Sequence, residues 1–207
     1  MGGLLALARV IDRINAAIGR AVAWLILLSV LVSVGNALVR YLQSTPLLRY
    51  LEISASNRWL ELQWYLYGAA FLCAAAYTLM ENEHIRIDVI YGRWSRRVQH
   101  WIDLLGHLFL LMPFVLLINW MAWPWFMRSY HSGEVSTNSG GLTIWPGKLM
   151  IALGFTLLAV QGVSEIIKKI AVMRGDLPDD GFHPSEEAIA AEAAGLSREQ
   201  FGGDRTS

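Results

Sequence analysis

A chain of 207 residues that is 55% hydrophobic and only 16% charged departs from a soluble domain, in which about a quarter of the residues carry charge. A formal net charge of zero excludes a strong nucleic-acid footprint. The single cysteine, Cys73, excludes an intramolecular disulfide and argues against thiolate metal ligation.

From the amino terminus, Leu4, Leu7, Ala8, Ile11, Ile14 and Ile18 recur at helical spacing, with Arg9, Asp12, Arg13 and Arg20 largely on the opposite side. The pattern predicts an interfacial amphipathic helix over 1–20, resting on the inner leaflet with its basic residues toward anionic headgroups. Nineteen residues without a charge then separate Arg20 from Arg40. A helix needs roughly 20 apolar residues to cross the hydrocarbon core, so 21–39 is a first span. Its length and the leader before it set it apart from a secretion signal. The loop from Arg40 to Glu61 carries Pro46 and the apolar set Leu47, Leu48, Tyr50, Leu51 and Ile53, and part of it reads as surface-lying.

A second uncharged run gives a span at 62–80. It ends in "ENEHIRIDVI", Glu81 to Ile90, a burst of charge on the loop to the next span. Within that loop Ile87, Ile90, Tyr91, Trp94, Val98 and Trp101 share one helical face, which predicts a second amphipathic helix on the inner side. The third span, 104–127, has His107 as its only ionisable group and Pro113 within it. The polar, glycine-rich loop Ser129 to Lys148 reads as a shaped turn. Pro146 fits the first turn of a fourth span at 145–167, with Lys148 snorkelling outward. Residues 171–207 read as an acidic, disordered tail: from residue 175 onward eight acids face only Arg198 and Arg205.

The expected fold class is therefore an all-α membrane protein of four transmembrane helices, with one transmembrane domain over 21–170. Arg9, Arg13, Arg20, Arg86, Arg93, Arg96, Arg97, Lys168, Lys169 and Arg174 fall on one side, against Arg40, Arg49, Arg58, Arg128 and Lys148 on the other. That bias places both termini in the cytoplasm.

Glu83, His84, Arg86 and Asp88 include possible metal ligands, but nothing nearby completes a set, and a charged cap where a span leaves the bilayer accounts for them, with docking to a partner as the functional possibility. His107 lies one turn from Asp103, and its reading is a neutral imidazole hydrogen-bonded near the inner interface. A haem between spans would want a second intramembrane histidine, which the sequence does not place there. No cofactor and no metal is expected. Ser29, Ser33 and Asn36 form one small, polar helical face, and Ala69, Cys73 and Ala76 form another. Such faces serve close helix contacts, within the chain or with another subunit. No nucleophile elbow, phosphate loop or zinc-protease signature appears, so no enzyme is expected. The remaining polar groups in the spans read as hydroxyls and amides, too few for a self-contained ion-coupled carrier.

Three segments together carry a family resemblance: "ELQWYLYGAAFLCAAAYTLMENEHIRIDV" (Glu61 to Val89), "GEVSTNSGGLTIWPGK" (Gly133 to Lys148) and "GFTLLAVQG" (Gly154 to Gly162). Over roughly residues 5–170 the chain resembles the small membrane subunit of tripartite ATP-independent periplasmic (TRAP) transporters. The resemblance implies a large permease subunit that carries the substrate and ion sites, a periplasmic solute-binding protein that delivers the cargo, commonly an organic acid, and a place in the bacterial inner membrane among its lipids. The small subunit would brace the large one. Glu61, Trp64, Glu134, Trp145 and Lys148, lying in or beside these motifs, join the residues above as expected partner contacts. The main alternative is the membrane anchor of a redox enzyme that seats haem or meets quinone; a homo-oligomeric transporter is a third.

Overall fold

The structure is a computed structural model and describes residues 2–42, 56–81 and 94–178. Their regular elements are all helices, with no strand among the described residues and one isolated antiparallel bridge, Val135 to Thr143, in the loop 133–144. In order they form α1 (Gly2–Leu42), α2 (Asn57–Met80), α3 (Arg96–Gly106), a π turn (His107–Leu111), α4 (Met112–Ser132) and α5 (Trp145–Met173). The charged cluster Glu83, His84, Arg86 and Asp88, the outer-loop stretch 43–55, the Ile87 to Tyr91 part of the second amphipathic helix and the tail beyond residue 178 lie outside the described residues.

Helix ends follow local chemistry. Ser56 caps α2 by accepting a hydrogen bond from the Arg58 amide. Gly133 ends α4 in the left-handed region (φ 61°), which a residue without Cβ enters at no steric cost. Pro146 occupies the first turn of α5, where its missing N–H is no loss.

Three of these helices are long and apolar enough to cross a membrane: Gly2–Leu42, Trp145–Met173 and the run Arg97–Ser132 that joins α3, the π turn and α4. Helix α2, of 24 residues, is long enough but less apolar, because Gln63, Trp64, Tyr65, Tyr67 and Tyr77 dilute it. The boundary expected near residue 20 is not marked by a break. α1 runs on for 41 residues, about 60 Å at 1.5 Å per residue. Gly19 does not interrupt it, because the absent side chain is what admits Tyr77: a Cβ there would lie 2.5 Å from that ring.

Helix α5 lies at the centre, packed against α1, α2, α3, the π turn and α4. It runs parallel to α2, with Gly147 beside Tyr65 and Gly154 beside Leu72. It runs antiparallel to α1, with Asn15 against Gln161, and to α4, with Thr156 against Asn119. A Cβ on Gly154 would sit 2.7 Å from Leu72 Cβ, and one on Gly162 would sit 3.0 Å from Met112 Sδ. Gly154 is a notch that brings the Leu72 backbone close, and Gly162 is one that receives the Met112 side chain. The chain buries few large side chains and turns many outward, among them Trp24, Phe71, Phe109, Leu110 and Trp120. That is the pattern expected where lipid, not water, is the solvent.

Candidate functional site

Polar chemistry concentrates at the two ends of α5. At its amino-terminal end, Glu61, the fifth residue of α2, is 4% exposed. Its carboxylate accepts from the Ser136 hydroxyl, from Asn138 Nδ2 at 2.8 Å and from the Leu142 amide at 2.6 Å. These bonds, the Ser136 hydroxyl first, hold its carboxyl below the usual carboxylate range. The loop closes around this anion as a narrow hairpin: the Ser136 amide donates to the Leu142 carbonyl and the Ile144 amide to the Glu134 carbonyl, each at 2.9 Å. Gly141 must be glycine, because a Cβ would meet Ser136 Cβ at 2.5 Å and both Glu61 oxygens at 2.9 Å. Asn57 and Arg58 donate to the carbonyls of Ser139 and Gly140, and the Tyr65 hydroxyl donates to that of Thr143. The turn is thus fastened along the amino-terminal end of α2.

Its other flank is held by α4 and α5. Glu134 accepts from Lys148 and from the Ser129 hydroxyl, which in that order hold its carboxyl low. Lys148 Nζ also lies 4.7 Å from the centroid of the Trp125 ring, a cation–π contact. Trp145 packs edge-on against Tyr130 at 5.5 Å. Glu61, Glu134, Trp145 and Lys148 therefore meet in one platform at the amino-terminal end of α5, while Trp64 points away, 62% exposed.

The small-residue faces are placed differently. Ser29 is buried and donates to the Gln63 carbonyl of α2 at 3.2 Å. Asn36, Ala69, Cys73 and Ala76 are buried as well, covered by the packing of α1, α2 and α5 on one another. Ser33 is half-buried. Within the described chain these residues serve its own helix contacts.

The carboxy-terminal end of α5 holds a network that the sequence pattern did not announce. Gln161, fully buried, donates through Nε2 to Asp12 Oδ1 at 2.9 Å and to Glu165 Oε1 at 2.8 Å. Its Oε1 accepts from Asn15 Nδ2 at 2.6 Å. Carboxylates only accept, so the amide can face them in one sense alone. Ser164 adds a donor to Asp12 Oδ1, and Lys168 pairs with Asp12 at 3.1 Å and Glu165 at 2.6 Å. Its neighbour Lys169 reaches Asp103 on α3 at 2.7 Å. This corrects the expectation that His107 stands alone among hydroxyls and amides: Glu165, 8% exposed, lies within the apolar segment 145–167. Its charge is tolerable there because a lysine and an amide both satisfy it. Apolar Ile166 and Ile167 beside it concealed it, and the Asn15 and Gln161 amides on otherwise apolar faces were the available signal.

Between the ends, Thr156 joins α5 to α4. Its hydroxyl lies 2.8 Å from Asn119 Oδ1 and accepts from Trp123 Nε1 at 3.3 Å. His107 donates through Nδ1 to the Asp103 carbonyl at 2.6 Å, since a carbonyl can only accept. No group of three or more His, Cys, Asp or Glu positioned to hold a metal occurs among the described residues.

The family model for the DctQ component of tripartite ATP-independent periplasmic transporters matches residues 31–172. No curated protein and no solved structure matches the chain.

Proposed function

The chain belongs to the family of DctQ components of tripartite ATP-independent periplasmic transporters, and from that premise we propose that it is a brace that translocates nothing itself. The observation that carries this reading is the use of its internal polar groups. Gln161, Asn15, Ser164, Glu165, Asn119 and Thr156 are each engaged by a neighbouring helix or turn of the same chain. A solute pathway would instead need such groups lining an open route.

On this reading a large permease subunit carries the substrate, an organic acid, together with the coupling ion, and a periplasmic binding protein delivers it. The chain sits in the bacterial inner membrane with four spans, α2 being the fourth, and both termini in the cytoplasm. The outer platform around Glu61 and Glu134 belongs to the surface offered to the binding protein. Exposed Trp64, continued along α2 by exposed Tyr67 and Phe71, belongs to the side offered to the large subunit. Membrane vesicles containing this chain alone, supplied with binding protein, candidate organic acids and a sodium gradient, should show background uptake, and adding the large subunit should restore it. Robust uptake by the chain alone would refute the reading.

A further inference from the structure

The long helix from α3 to α4 is not uniform along its length. In the π turn the Met112 amide reaches back five residues to the His107 carbonyl. Pro113 follows and has no N–H, so the carbonyl one turn before it receives nothing from that position. A widened turn and a missing amide are two recurrent causes of bending in helices, and here they are adjacent.

The two sides of this turn are held by different kinds of contact. Beyond it, α4 is fixed on α5 by interlocking groups: Met112 over the Gly162 notch, Phe114 edge-on to Phe155 with centroids 6.0 Å apart, and Asn119 and Trp123 on Thr156. Before it, α3 turns Trp101, Ile102 and Leu105 outward, each more than 40% exposed. Among the described residues a charged tie from α3 to α5 is the Asp103–Lys169 pair, whose side chains are 8% and 16% exposed. Interdigitated side chains hold along the whole contact, whereas the ion pair is a single buried tie whose loss leaves two charges to be hydrated, so α3 stays in place only while that tie is made.

We propose that the π turn at His107–Leu111 is a hinge on which α3 swings relative to the fixed α4–α5 pair, and that the Asp103–Lys169 ion pair is the latch that holds the arrangement seen. α3 is then the element at this end of the molecule that moves without disturbing the span beyond it. This holds whether or not the chain braces a permease, because it rests on the helix itself.

The test uses the full chain in lipid nanodiscs with Cys73→Ser, and spin-label distances between Arg97→Cys on α3 and Arg174→Cys just after α5, both exposed. A control pair, Met121→Cys and Val160→Cys, reports α4 against α5 beyond the hinge. Lys169→Met should broaden or lengthen the first distance by roughly 5 Å or more, about the pitch of one helical turn, and leave the control unchanged. The charge-swapped double variant Asp103→Lys with Lys169→Asp should narrow it again, and Pro113→Ala in the Lys169→Met background should narrow it without the ion pair. An unchanged first distance in Lys169→Met overturns the latch, and broadening of both distances overturns the hinge in favour of general loosening. Where Lys169→Met fails to insert, Asp103→Asn, which removes the charge and keeps the shape, is read by the same criteria.

Discussion

Replacing Gln161 by leucine tests the inner network with little change of volume. The variant loses two donor bonds to carboxylates and one acceptor bond from Asn15. Hydrogen bonds between membrane helices average about 0.6 kcal/mol in double-mutant cycles, so three amount to about 2 kcal/mol. Asn15, 2% exposed, keeps a buried amide without its acceptor, and an orphaned buried group costs about 1–3 kcal/mol. The two estimates overlap, and we take a destabilisation of about 2–4 kcal/mol. At roughly 2–4 °C per kcal/mol for a chain of this size, the midpoint of thermal unfolding followed by tryptophan fluorescence should fall by roughly 5–15 °C. Asn15→Leu should also destabilise, and the double variant should cost less than the sum of the singles by about 1 kcal/mol, because the bond between the two residues can be lost only once. A midpoint within about 1 °C of wild type, or strictly additive losses, would refute the claim that Gln161 clamps α1 to α5.

The outer platform makes a pH prediction. The Glu61 carboxyl is held below its ordinary value of 4.5 in the folded state, so the stability it contributes is full above that value and is lost as pH falls through the lowered one. The turn at Ser136–Leu142 should therefore resist proteolysis from neutral pH down to the ordinary glutamate range and loosen only in stronger acid, whereas Glu61→Gln should be loose at neutral pH and show no acid step. If the two proteins lose protection along the same pH curve, Glu61 is not what fastens the turn. For orientation, a phosphatase active only outside the cytoplasm should work when inserted at Ser136 and be silent when fused after Ser207, and the opposite pattern would invert the assigned topology.

The helical segments were legible because a stretch without charge is a one-dimensional signal, and Ser56, Gly133 and Pro146 mark ends by local chemistry. The outer platform was half legible. Glu61, Glu134, Trp145 and Lys148 were singled out through the family-like motifs in or beside which they lie, but Glu61 meets Ser136 across 75 positions of sequence, and only packing brings them together. The inner network was hidden by position. Asp12 passed as the wet side of an amphipathic helix, yet it accepts from Gln161, Ser164 and Lys168 on α5. Small faces such as Ser29 with Asn36, or Ala69 with Ala76, announce that some helix approaches closely without saying whose. In this chain the approaching helices are its own.

The segment "GFTLLAVQG" shows why its central helix leaves so little free for a moving solute. At 100° per residue, Gly154 and Gln161 fall within about 20° of each other on α5, and Thr156 lies about 160° away. The first two meet α2 and α1, and the third meets α4, so opposite sides of one short stretch are committed to neighbours. Gly162, the last residue of the segment, receives Met112 just past the π turn. A carrier must let at least one such face part from its partner during each cycle. Here parting would strip a notch of its packed side chain or leave a buried amide without its partner, and both are costly. α3 is free of these notches, and its movement is governed by the single buried Asp103–Lys169 ion pair and the π turn that follows it. A body with one hinged element at one end, and a turn fastened by Glu61 and Glu134 at the other, is what the proposed bracing role asks of this chain.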